Sequence, residues 1–173
     1  MRERLAVASI LVMGAIACSS PGSDALATAD QNATGCSSPA NETPSSPVQR
    51  DLSFAADVLP LFVKSCAFGS CHGSPKNAAD NGIFLGSKSS AADARAIRAS
   101  LVARPSTQSP SMPYVTASDP SRSYLYLKLT GDFCDLAECA GDRCGKPMPR
   151  GGDPLDPATL DLVRSWILQG APE

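Results

Sequence analysis

Cys66 and Cys71, with His72 directly after the second cysteine, are the residues of this chain best equipped for chemistry. The run reads Cys66-Ala67-Phe68-Gly69-Ser70-Cys71-His72, and His72 is the only histidine among 173 residues. Three chemistries fit such a set. Two thiols followed by a histidine are the parts of the C-x-x-C-H pattern that attaches c-type haem, the sulfurs adding to vinyl groups while the imidazole reaches the iron. Here four residues separate the cysteines. They are expected to loop outward, with Gly69 easing the turn, so that both sulfurs still reach a porphyrin edge. The same thiols can instead close into a disulfide, a staple that small exported domains often need. The third chemistry is a tetrahedral zinc site completed by Cys134, Cys139 and Cys144, although exported thiols usually oxidise first.

Those residues must be positioned by helices. Ser53 is placed to cap a helix whose apolar positions Phe54, Val58, Phe62 and Val63 fall on one stripe, with Pro60 delaying or kinking it. Cys66 comes straight off its end. A second helix is expected over 91–102, with Ile97 and Leu101 on one face. A third begins near Ser121 and carries Tyr124, Leu125, Leu127 and Leu129, where alternation also permits a strand. The last is the clearest. Asp156 caps it, Pro157 suits its first position, Leu160, Val163, Trp166 and Ile167 form its apolar face, and Gly170 and Pro172 stop it. Trp166 is expected to pack on the first helix or on the edge of a haem, with plain core packing as the alternative. The fold class is mainly α: a small helical domain with long loops, over 51–173.

What precedes the domain reads as an address. Arg2 and Arg4 lead a thirteen-residue uncharged run, 5–17, which has signal-peptide length and is too short to span a bilayer. Ala15-Ile16-Ala17-Cys18 resembles the lipobox of bacterial lipoproteins. Residues 1–17 are then the expected signal peptide and an acylated Cys18 the expected lipid anchor, the alternative being ordinary secretion with cleavage nearby and Cys18 incidental. Residues 18–50, rich in Ser, Pro, Ala and Thr, have no apolar period and read as a flexible tether. Cys36 lies inside it.

The order of motifs resembles a known family. Val58-Leu59-Pro60-Leu61-Phe62, Ser65-Cys66 and Cys71-His72-Gly73 resemble the opening of the cytochrome c domains of environmental bacteria. Asp119-Pro120-Ser121-Arg122-Ser123-Tyr124-Leu125-Tyr126-Leu127-Lys128-Leu129 is similar to their middle helix. Lys146-Pro147-Met148-Pro149-Arg150-Gly151-Gly152, Leu155 and Arg164-Ser165-Trp166-Ile167-Leu168-Gln169-Gly170-Ala171 resemble their methionine loop and closing helix. Together these cover most of 58–172, and the chain resembles a lipoprotein-anchored class I-type monohaem cytochrome c in a C-x4-C-H variant.

That resemblance implies haem c held covalently by Cys66 and Cys71, with His72 and Met148 as axial ligands of the iron. A thioether is a soft donor that favours Fe(II). Pro147 and Pro149 stiffen the segment that carries it. Met112 is the rival thioether, and plain core packing is the alternative for either methionine. Phe62, Phe68, Ile83, Leu85, Leu125, Trp166 and Ile167 are the expected apolar wall. Cys134, Cys139, Cys144 and Cys36 remain for disulfides, with Cys134–Cys144 or Cys134–Cys139 the expected bridge and Cys36 either unpaired or joined to the cysteine left over.

The implied function is electron transfer at the cell envelope, with redox proteins and the lipid membrane as partners and no catalysis of its own. The alternative is a haem-free, disulfide-stapled binding or structural lipoprotein. A haem sensor or peroxidase-like site would require that Met148 not ligate. Fifteen Lys and Arg against seventeen Asp and Glu give a net charge of −2, without the basic patch of a nucleic-acid binder. A mildly acidic surface suits a basic partner. A single histidine leaves no Ser/His/Asp set beyond this motif, and no phosphate-binding Gly loop is present.

Overall fold

Ser53 and Asp57 open the first helical segment, the Ser53 side chain capping its N-terminus and Asp57 reaching back to the Ser53 amide. Ser53 Oγ accepts from the Ala56 amide at 3.0 Å, and Asp57 Oδ2 accepts from the Ser53 amide at 2.8 Å. The computed structural model describes residues 46–76, 82–88, 93–134, 136, 138–139, 144–150 and 152–173. Cys18, Cys36, the signal peptide and most of the tether lie outside these residues.

The chain first makes one wide π turn, Phe54–Val58, in which the Leu59 amide donates to the Phe54 carbonyl five residues back. Helix α1, Leu59–Ser65, follows with Pro60 at its start. Proline has no amide to give to the preceding turn, and the wider turn absorbs that mismatch. Phe54, Val58, Leu59 and Phe62 are buried, and Val63 is half-buried.

Helix α2 is Ala94–Ala99, shorter than expected, and residues 91–92 are not described. The turn continues beyond it, since the Leu101 and Val102 amides both donate to the Arg98 carbonyl. Ile97 and Leu101 point into the core as their spacing requires. Helix α3, Tyr124–Thr130, is preceded by a 3-10 turn over Pro120–Arg122 that Asp119 caps, and it ends at Gly131, whose φ of 87° is left-handed. The strand permitted for Tyr124 to Leu127 does not form. Among the described residues, extended pairing amounts to isolated bridges such as Val102 with Val115.

Helix α4, Pro157–Leu168, matches its sequence pattern closely. Asp156 Oδ1 accepts from the Thr159 amide at 3.0 Å, and Val163, Trp166 and Ile167 are fully buried. The Trp166 ring lies 5.5 Å from Phe54, whose ring is 6.2 Å from Phe62. This aromatic stack fastens α4 to the start of α1. The residues after α4 lock the junction, because the Pro172 carbonyl accepts from Trp166 Nε1 at 2.9 Å and from the Phe54 amide at 3.3 Å. Arg98 Nε donates to the Ala171 carbonyl at 2.6 Å, tying in α2.

Docking of the N-terminal segment starts earlier than the expected boundary at 51. The Val48 amide donates to Ser165 Oγ at 2.9 Å, and Gln169 holds the Leu52 amide and the Arg50 carbonyl. No helix among the described residues is long and apolar enough to cross a membrane.

Candidate functional site

Cys66 terminates α1, its amide still donating to the Phe62 carbonyl at 2.8 Å. The four residues after it form a self-bonded turn. The Cys71 and Gly73 amides both donate to the Phe68 carbonyl, at 2.9 and 3.0 Å, and the His72 amide reaches the Cys66 carbonyl at 3.3 Å. The longer spacing therefore adds an outward loop and returns Cys71 to Cys66. Phe68, expected in the apolar wall, sits on that loop and is 60% exposed. The glycine demanded by close approach is Gly73, where a Cβ would collide with the Ala67 carbonyl, whereas a Cβ on Gly69 would meet nothing within 4 Å.

Cys66 and Cys71 are thiols, and with His72 they are half-buried. Burial pushes the Cys66 thiol up to about 11, with a further push from a negative charge on Cys71. Cys66 therefore stays protonated at neutral pH and is slow in thiolate-dependent exchange.

His72 is held from two sides by one extended segment. Its Nδ1 lies 2.9 Å from the Ile83 carbonyl, and its own carbonyl accepts from the Leu85 amide at 2.9 Å. A carbonyl can only accept, so Nδ1 carries a proton, and in the neutral ring the lone pair is then on Nε2. That arrangement is the one a metal-ligating histidine needs: one ring nitrogen fixed by a hydrogen bond, the other available as a donor. Ile83 and Leu85 are themselves buried, which seats the segment on the core.

Met148 belongs to a second group, organised by α3. Its amide donates to the Lys128 carbonyl at 2.8 Å, and its side chain packs half-buried against the core. Lys128 is only 5% exposed; its amine donates to the Cys144 carbonyl at 2.7 Å and lies 3.8 Å from the centre of the Phe133 ring. Burial lowers that amine from its usual 10.5 to about 8. The Tyr124 hydroxyl donates to the same Cys144 carbonyl at 2.8 Å, and desolvation raises the phenol well above its usual range. The segment carrying Met148 is thus tied to α3 by backbone and side chains alike. Met112, the rival thioether, sits half-buried in the 106–112 loop, with its amide and carbonyl bonded to Ser109 and Ser106.

The cysteine pairing differs from expectation. Cys139 and Cys144 are joined, with Cα atoms 5.0 Å apart. Cys134 is also disulfide-bonded, so neither Cys134–Cys144 nor Cys134–Cys139 forms. With Cys134, Cys139 and Cys144 all in disulfides, the zinc alternative loses the three donors that were to complete it. Among the described residues no group of three or more His, Cys, Asp or Glu is placed to hold a metal ion.

The buried Lys128, Tyr114 and Phe133 went unread in the sequence. Lys128 stands four residues after Tyr124, one turn along the same face of α3, and that spacing is the signal the sequence carries for it. The remaining wall candidates, Phe62, Ile83, Leu85, Leu125, Trp166 and Ile167, are all buried. No family model, no curated protein and no solved structure matches the chain.

Proposed function

We propose that this protein is a c-type haem electron carrier, tethered to the cell-envelope membrane by an acylated Cys18 and exchanging electrons with redox proteins there. The observation that carries the reading is the Nδ1 contact of His72 with the Ile83 carbonyl, beside two thiols on the same turn. Cys66 and Cys71 would hold the group covalently, and His72, through Nε2, and Met148 would be the residues that bind its iron. Bound haem c supplies a reversible Fe(II)/Fe(III) couple.

The protein's own part is to orient and tune. The Ile83 carbonyl fixes the plane of the imidazole and, by drawing on the Nδ1 proton, makes Nε2 a stronger donor. The bonds from Lys128 and Tyr124 hold the chain just ahead of Met148 in place. A thioether there favours the reduced state and raises the potential. The buried faces of Phe62, Ile83, Leu85 and Leu125 keep the interior dry. The reading involves no substrate transformation.

The test is expression of residues 19–173 behind a secretion signal, alongside haem-maturation machinery, followed by a pyridine spectrum of the denatured protein. The expected result is a haemochrome band that survives acid–acetone extraction in the wild type and disappears in the double variant Cys66→Ala, Cys71→Ala. A colourless wild type whose Cys66 and Cys71 map to a disulfide would overturn it in favour of the stapled, haem-free lipoprotein. If the haemochrome forms, Met148→Ala should lower the reduction potential.

A further inference from the structure

The segment that grips His72 is itself gripped, and by a side chain far away in sequence. Tyr114 is 5% exposed, and its hydroxyl donates to the Gly82 carbonyl at 2.8 Å. The hydroxyl oxygen accepts in turn from the Thr107 amide at 3.2 Å and lies 3.2 Å from Thr107 Oγ1. Tyr114 is fastened on its own backbone, its amide to the Arg104 carbonyl and its carbonyl to the Leu125 amide of α3.

Gly82 shows the same fit from the other side. Its φ is +80°, and a Cβ there would strike Thr107 Oγ1 and stand 2.7 Å from the Tyr114 hydroxyl. The space that a side chain at position 82 would need is taken by Thr107 and the Tyr114 hydroxyl together. The extended segment is therefore clamped at Gly82 by Tyr114 and at Leu85 by the His72 carbonyl, and between those points the Ile83 carbonyl faces the imidazole.

We propose that Tyr114 is a positioning residue for His72: through Gly82 its hydroxyl sets the Ile83 carbonyl that selects the Nδ1–H form of the ring and presents Nε2 as the donor. This rests on the reading of His72 as an iron ligand only for its functional meaning. The structural claim holds for the haem-free chain as well. With haem bound, a looser Ile83 carbonyl draws less on the Nδ1 proton, so Nε2 becomes a weaker donor and the reduction potential rises.

The experiment uses 15N spectra of the imidazole in the haem-free protein, at a pH where the ring is neutral, for wild type, Tyr114→Phe and Thr107→Val. The wild type is expected in the Nδ1–H form. Tyr114→Phe, which keeps the ring and its 6.4 Å contact with Tyr124, should raise the share of the Nε2–H form roughly three- to tenfold, as expected for loss of one hydrogen bond. Thr107→Val leaves the Tyr114–Gly82 bond intact and should match the wild type. A wild type in the Nε2–H form, or a folded Tyr114→Phe with the wild-type distribution, overturns the proposal. Should Tyr114→Phe fail to fold, 3-fluorotyrosine at 114 gives a stronger donor of nearly unchanged shape; unmoved His72 resonances would then overturn it. In the haem-loaded protein Tyr114→Phe should raise the potential. A chain that takes no haem yet shows the tautomer shift refutes the electron-carrier reading and leaves the positioning role standing.

Discussion

Lys128 carries the clearest consequence at the scale of single residues. Its folded value of about 8 lies below the usual 10.5, because burial penalises the cation. Between those values the unfolded chain holds a proton that the folded chain has released, so stability rises with pH there. The Phe133 ring favours the cation and narrows the window from its lower side. Cys66 works in the opposite sense: its usual 9.0 is raised to about 11, so above pH 9 the unfolded chain ionises first and stability falls. The haem-free protein should therefore show a urea midpoint that climbs between pH 8 and 9, stays level while the two slopes oppose each other, and declines above about pH 10.5, where the unfolded lysine is neutral. Lys128→Met should remove the climb. At neutral pH the same substitution should shift stability by no more than about 1 kcal/mol, since Tyr124 still satisfies the Cys144 carbonyl. The sequence hinted at this only through the spacing of Lys128 from Tyr124, because a lysine between leucines otherwise looks like a solvated position. The Ile83 carbonyl is still less legible, because it is a backbone group and no residue pattern displays it.

At the scale of elements, what the sequence declared was what is local. Ser53, Asp156 and Pro157 act within three or four residues of themselves, and each sits where its chemistry placed it. The face of α4 was readable for the same reason, and so was the attachment of Cys66 to the end of α1. The disulfides were not, and the reason is arithmetic: Cys134 to Cys139 and Cys139 to Cys144 are equally spaced, so spacing cannot choose between them. The Pro60 mismatch was visible, but not its resolution by a π turn. Two measurements follow. Asp156→Ala should cost about 1 kcal/mol in urea unfolding by removing the cap of α4. Trp166→Ala should cost about 3–5 kcal/mol, since it opens a cavity against Phe54 and removes one of the two donors to the Pro172 carbonyl. A cap loss equal to the tryptophan loss would mean that α4 owes its place to its own propensity and not to the aromatic stack.

At the scale of the whole molecule, the domain is held by its ends. Ala171 and Pro172 accept from Arg98, Trp166 and Phe54, which belong to three different helical segments. Deleting residues 171–173 removes these acceptors together, and roughly 2–5 kcal/mol of stability should go with them. A thermal melt that keeps its midpoint after the deletion would show that the aromatic contacts alone suffice. The mainly helical class was legible in the sequence because it follows from periodicity. The closure by the last residues was not, because a carbonyl after a helix stop gives no sign of which amides will find it. The early docking of Val48 escaped for a similar reason: its anchors, Ser165 and Gln169, lie more than a hundred residues away.

That closure has a topological side. The amide of residue 54 and the carbonyl of residue 172 meet at 3.3 Å, and residues 48–52 run along the end of α4. Apart from its last covalent link, the folded chain is a ring. A partner fused after Glu173 would leave from the same pole as the leading segment, and the domain could be spliced into a surface turn of another protein without drawing its ends apart.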